Sequence, residues 1–244
     1  MPRNQMPVAI VTGASRGIGA CISISLSRAG YQIALLARGG SRETAGCITD
    51  LGGETLDLRG DVRSVIDCES AVSDTLNTWG RMDLLINNAG VMLGDRDVVD
   101  TTPACWTEVL ETNLNGAFFM VAAVLPAMIT QGGGLIVNIT SGAAVRSGFL
   151  NLPYGVSKAG LDRMTLGLGS ELESHGIACL SLSPPVSATD TVRAMYPDRD
   201  VDAWAQPPEL TAKALLALIR EGPARYTGRV VSVREYLQER GELG

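Results

Sequence analysis

Short apolar runs alternate with segments of helical period along this chain. VAIVTG (8–13) and YQIALLAR (31–38) read as strands, with a helix over 17–30 between them. The alternation continues with a helix over 41–52, a short strand at 54–58, a helix to about Trp79 and a strand in MDLLINNAG (82–90). A long helix over roughly 103–130 precedes the strand GLIVNITS (134–141). A helix at about 153–174 leads into the strand IACLSLSP (177–184), and a last helix near 208–221 into GRVVSV (228–233). None of these strands alternates strictly between apolar and polar positions, as expected of strands covered on both faces. Strands separated by helices and joined by right-handed crossovers predict a single α/β domain with a doubly wound parallel sheet of about seven strands. The stretch 184–207, rich in Pro and Asp, predicts a substrate loop or lid. The charged end from about residue 234 reads as either a helix or a disordered tail.

Composition narrows the classes. At 244 residues, 45% apolar and 19% charged, the chain has material for one large core. A net charge of −6 argues against nucleic acid or an anionic membrane as partner. The apolar stretch GAFFMVAAVLPAMIT reads as a buried helix too short to span a bilayer. No secretory signal is visible in MPRNQMPVAIVTG, and the five scattered cysteines contain no CxxC, so a cytoplasmic protein without a metal site is expected. With His175 as the one histidine, Ser–His hydrolysis has little to work with.

The chemistry lies at the strand ends. TGASRGIG (12–19) follows the first strand and opens the first helix. Gly13, Gly17 and Gly19 let backbone approach a ligand closely, and the helix N-terminus offers free N–H groups to a phosphate. A plain tight turn would also use these glycines; the strand–turn–helix context favours the phosphate. At the end of the second strand a nicotinamide-binding fold places an acid against the ribose 2′-hydroxyl. Here stand Ala37 and Arg38, with Arg16 in the glycine loop, and two guanidiniums without an acid suit a 2′-phosphate. Tyr154 and Lys158 in PYGVSKAG fall one turn apart on the helix predicted at 153–174. A nearby ammonium favours phenolate, so the Tyr154 pKa is expected to fall toward working pH, making it a general acid or base. Ser141, at the end of the preceding strand, could bind a substrate oxygen.

Together these residues resemble the short-chain dehydrogenase/reductase family, in its compact single-domain Rossmann form. The resemblance covers about 7–233 and rests on TGxxxGxG at 12–19, Asp61-Val62, Asn-Asn-Ala-Gly at 87–90, Asn113, Ser141 and YxxxK at 154–158. It implies an oxidoreductase using NADP(H), with NAD(H) the weaker candidate, acting on a hydroxyl or carbonyl. By the resemblance Tyr154 is the proton donor, Ser141 polarises the carbonyl oxygen, Lys158 lowers the tyrosine pKa and binds ribose, and Asn113 holds a relay water. Gly13, Ser15, Arg16, Gly17, Ile18 and Gly19 would hold the pyrophosphate side. Asp61 and Val62 would flank adenine, and Asn87, Ala89 and Gly90 the ribose. Arg16 and Arg38 would mark NADPH preference, and Pro184 and Thr189 the nicotinamide end. The chain departs from the pattern in SPPVSAT, where Pro185 replaces the usual glycine, and in its charged C-terminus. A homo-oligomer, tetramer or dimer, is expected from the resemblance.

Many members reduce β-ketoacyl groups on acyl carrier protein. The expected rim segments TQGGG (130–134) and ELESHG (171–176) lack Lys and Arg, which ranks a carrier-protein substrate below a free small carbonyl or alcohol, although Arg146 and Arg193 could compensate. Leu93, Ala143, Val145, Leu150, Met195, Tyr196 and Trp204 are the expected pocket residues, and they suggest a mostly apolar substrate. A catalytically idle NADP-binding sensor or assembly protein is the alternative of another class.

Overall fold

A computed structural model describes residues 6–94, 97–147 and 151–243. Its centre is a sheet of seven parallel strands, β1 (Val8–Thr12), β2 (Gln32–Ala37), β3 (Thr55–Arg59), β4 (Leu84–Asn87), β5 (Gly134–Ile139), β6 (Ile177–Ser183) and β7 (Val230–Ser232), in the order β3-β2-β1-β4-β5-β6-β7. Both faces are covered, which explains the missing alternation. Val11, Leu35, Ile86, Val137 and Leu180 pack on one side with Ile22 and Leu26 of α1 (Gly17–Arg28), Ile48 of α2 (Arg42–Asp50) and Leu215 and Leu218 of α8 (Glu209–Glu221). Ile10, Leu36, Leu85, Ile136 and Cys179 pack on the other with Val72 of α3 (Val65–Trp79) and Met120, Val124 and Met128 of α5 (Gly116–Gln131).

One row of that second face is polar. Asn87, Asn138 and Ser181 stand in register on β4, β5 and β6. The Asn87 Nδ2 donates to Asn138 Oδ1 at 2.9 Å, and the Asn138 Nδ2 to Thr165 Oγ1 at 2.8 Å. Thr165, on α6 (Leu152–Glu171), shares a 2.8 Å hydrogen bond with Ser181. Buried amides need such partners, and this row satisfies most of its own polar groups.

Several expectations are refined. The long helix is continuous over Pro103–Gln131 as expected, but a π-helical turn at Glu111–Asn115 divides it into α4 (Pro103–Leu110) and α5. The continuous stretch Pro103–Gln131 is long and apolar enough to cross a membrane, unlike the shorter run read from sequence. Its inner face is nevertheless used up on the sheet, where Met120, Val124 and Met128 are fully buried. The charged C-terminus is ordered: α9 (Val233–Glu239) buries Val233, Tyr236 and Leu237 in the core shared with α8. Arg240 lies 3.7 Å from the Tyr236 ring centroid and grips the Glu221 carboxylate, to which Tyr226 also donates at 2.7 Å. The predicted loop at 184–207 contains a short helix, α7 (Asp190–Met195), and a 3-10 turn at Val201–Ala203.

Candidate active site

Strand order reverses between β1 and β4, and in doubly wound sheets ligands bind beyond the carboxyl ends of the strands at that point. A cleft of about 670 Å³ opens there, lined from the ends of β1 through β6. At its phosphate side, Gly13 (φ +64°) and Gly17 (φ +57°) adopt the left-handed backbone that glycine tolerates. A Cβ on Gly19 would collide with the Gly13 carbonyl oxygen and the Asn88 amide, so Gly19 serves close packing behind the turn and is not among the cleft-lining residues.

Like α2, α5 and α8, α1 starts without a side-chain cap. Ser64, Thr102, Asn151, Thr189 and Ser232 each cap a helix with a side-chain oxygen. Arg16, at the α1 cap position, supplies none, and the first turn holds no acid. Gly17 and Ile18 of that turn line the cleft beside Ser15 and Arg16, and the free N–H groups of a helix start fit the pyrophosphate of a dinucleotide. Arg16 and Arg38 are exposed along the same wall. Asp61 and Val62 line it too. Arg63 binds Asp61 through Nε and Nη2, the latter at 2.6 Å, and holds its carboxyl below the usual range despite partial burial.

Ala89 and Gly90 line the cleft as expected, whereas the Asn87 side chain is buried in the polar row of the sheet. As the last residue of β4, Asn87 points to the α5 face, and its amide also donates to Ala117 O at 3.3 Å. The next residue, Asn88, which sequence reading passed over, lines the cleft and locks the glycine turn, its Nδ2 donating to Thr12 O at 2.9 Å and Gly13 O at 3.1 Å.

At the other end of the cleft lie Ser141, Tyr154 and Lys158. Pro153 in the first turn and the Asn151 side chain, accepting from Tyr154 N at 3.1 Å, start α6 so that Tyr154 faces the end of β5. Its hydroxyl is hydrogen-bonded to Ser141. The Lys158 Nζ sits 5.6 Å from the Tyr154 ring centroid and donates to Ile139 O at 2.8 Å. Asn113 sits in the π turn and is almost fully buried. It pairs with both backbone polar groups of Val91, accepting at 2.7 Å and donating at 3.0 Å, and donates to Ser157 Oγ at 3.1 Å. It is not itself a cleft-lining side chain.

The expected fall in the Tyr154 pKa is reversed. Burial raises it, and the Ser141 hydrogen bond opposes only part of the rise. Burial also lowers Lys158, to about 8, with Asp162 opposing.

Pro184, Pro185, Val186, Ser187 and Thr189 cover the cleft from the loop after β6. Thr189 stands over Gly17, where a Cβ would lie 3.2 Å from its Cγ2. Of the expected substrate-pocket residues, Ala143 lines the cleft, and Leu150 falls outside the described residues. Val145 is 87% exposed, and Leu93 is not part of the lining. Tyr196 and Trp204 stack edge-to-face at 5.6 Å, and Tyr196 packs on the loop's own small core of Ala188, Val201 and Ala205. Those two aromatics therefore hold the loop together, and neither they nor Met195 line the cleft. Val91, Met92 and Arg146 do.

Residues 7–200 match the short chain dehydrogenase family. The chain belongs to that family. A short-chain dehydrogenase of this kind acts on CH–OH or C=O groups with a nicotinamide cofactor. The chain is 31% identical to an uncharacterized oxidoreductase of Staphylococcus saprophyticus, over 96% of this chain and 99% of that one. It is also 31% identical to a 3-oxoacyl-(acyl-carrier-protein) reductase of Staphylococcus epidermidis, over 78% of this chain and 79% of that one. Among solved structures, an actinorhodin polyketide ketoreductase variant with NADPH superposes with a TM-score of 0.89 at 32% identity, covering 96% of this chain and 97% of that one.

Proposed function

We propose that this short-chain dehydrogenase uses NADPH to reduce the carbonyl of a small, mostly apolar substrate to an alcohol. The observation that carries the reading is one continuous cleft, running from Arg16 and Arg38 past the uncapped α1 turn to Ser141, Tyr154 and Lys158. The cofactor, when bound, supplies the hydride. Ser141 and Tyr154 bind the carbonyl oxygen, Tyr154 gives it a proton, and Lys158 steadies the phenolate left behind. Asn113 supports this end by tying Val91 to the α6 residue next to Lys158. Val91, Met92, Ala143 and Val186 offer an apolar wall to the substrate.

The test is cofactor oxidation at 340 nm with NADPH and NADH against ketones, diketones, quinones and β-ketoacyl thioesters. Turnover that favours NADPH supports the reading. Tyr154→Phe should lower kcat about 10²- to 10⁴-fold while NADPH affinity holds. Unchanged turnover in that variant would remove Tyr154 from the chemistry, whereas tight NADPH binding with no turnover across the panel would point to the binding-only protein. The carrier-protein reductase reading draws on the Staphylococcus epidermidis relative and on Arg146 at the cleft. A strong preference for carrier-bound over free thioester would support it.

Cys21, Cys47, Cys68, Cys105 and Cys179 are free thiols, which suits the cytoplasmic setting expected from sequence. Phe118, Leu152 and Leu166 are exposed by 52%, 46% and 56% on α5 and α6, and we read these helices as the contact face of a homo-oligomer.

A further inference from the structure

Lys158 is buried, and the proposed chemistry needs it charged. Its hydrogen-bond acceptor, the Ile139 carbonyl, is neutral. One turn further along α6 stands Asp162, so Tyr154, Lys158 and Asp162 form a column at intervals of four. The Asp162 carboxylate turns inward, where its Oδ1 is buried and makes no hydrogen bond. A buried carboxylate oxygen without a partner is costly, and such a group calls for a reason. Burial raises the Asp162 pKa above the usual carboxylate value, and the Thr140 and Ser181 hydroxyls and Lys158 oppose that rise.

We propose that Asp162 is a positioning residue of this site: from beneath Lys158, its carboxylate keeps the ammonium charged and directed toward Tyr154. The inference rests on the reductase reading above. Among the described residues, Asp162 is the one charge that opposes the effect of burial on Lys158. Among the described residues, no other charge acts on Lys158; Glu173 and His175, in the turn after α6, lie at its far end. Around Lys158, β5 contributes the Ile139 carbonyl and the Thr140 hydroxyl, and the π turn contributes the Asn113 amide. The acids Glu108 of α4 and Glu111 of the π turn act on Arg63 instead. On β6, Ser181 does not titrate, and burial pushes the Cys179 thiol up to about 12. On α6 itself, Tyr154 is neutral until well above neutral pH, because burial raises it.

Removing the Asp162 charge should let Lys158 lose its proton at lower pH. The alkaline limb of kcat/KM for carbonyl reduction then moves down. A neighbouring opposite charge shifts a pKa by about one unit or more, so a drop of about one pH unit is expected. The experiment compares wild type, Asp162→Asn and Asp162→Glu across pH 6–10, using NADPH and the most active substrate from the panel, with melting temperature as a control. Asp162→Asn should move the limb down, and Asp162→Glu, which keeps the charge, should return it close to wild type. Asp162→Ser also removes the charge and replaces Asp162→Asn if that variant does not fold. A folded, active neutral variant with the wild-type limb overturns the role of Asp162 alone. No turnover by wild type with any substrate in the panel overturns the reductase reading, and turnover that survives Tyr154→Phe overturns the Tyr154 chemistry; either removes the Asp162 role with it.

Discussion

Arg38 and Asn88 show how single side chains divide the cleft between recognition and construction. Arg38 stands at a strand end where a carboxylate would select a free 2′-hydroxyl, and it is exposed to the cleft. A charge-assisted hydrogen bond contributes about 1.5–3 kcal/mol, so Arg38→Asp should lower the NADPH/NADH ratio of kcat/KM by roughly 10- to 100-fold. An unchanged ratio would remove Arg38 from the cofactor site. Asn88 is constructional, because it pins the glycine turn that shapes the phosphate end. Sequence showed Asn-Asn-Ala-Gly at 87–90 but did not show which amide faced the cleft. The choice follows from the end of β4: Asn87 closes the strand and faces α5, and Asn88 is the first residue beyond it. Lys158 adds a pH dependence. Its pKa in the folded chain, about 8, lies below the ordinary lysine value, so the ammonium is lost as pH rises through about 8. Wild-type reduction measured as kcat/KM should decline on that side, and a flat profile to pH 10 would contradict it.

The π turn and α9 carry the same lesson for whole elements. Helical period announced an apolar helix over 103–130, but one extra residue in a turn barely disturbs that pattern. What holds the turn is non-local: the Asn113 side chain reaches Val91 and Ser157, from distant parts of the chain. Asn113→Leu should lower kcat by about tenfold or more through loss of that tie, with secondary structure by circular dichroism unchanged. The tail after β7 was ambiguous for a similar reason, since Arg234, Glu235, Glu239 and Arg240 obscure the Val233, Tyr236 and Leu237 stripe that docks on α8. Leu237 is fully buried, so Leu237→Ala should cost about 2–5 kcal/mol in urea unfolding. A loss below 1 kcal/mol would mean that α9 contributes little to the core. The strands, by contrast, were legible within a few residues, because runs buried on both faces leave few other readings.

For the molecule as a whole, a cofactor that binds only the folded cleft adds to the stability of the fold. Ligand that binds the native chain alone stabilises it by about 2.7 kcal/mol at 100 times Kd. For a domain of this size each kcal/mol moves Tm by roughly 2–4 °C. Saturating NADPH should therefore raise Tm by about 5–10 °C, and NADH at the same concentration should raise it less. Equal shifts would contradict the cofactor preference.

The polar row Asn87–Asn138–Ser181 bears on a different problem, the fidelity of strand assembly. Strands that are greasy on both faces could pair two residues out of step and still bury their hydrocarbon. A slip of β4, β5 or β6 would separate the two amides and strand them against methyl groups, so the row acts as a key that only the native alignment turns. A chain with Val at both asparagine positions should still collapse, but should refold from urea with a smaller NADPH-binding fraction than the native sequence.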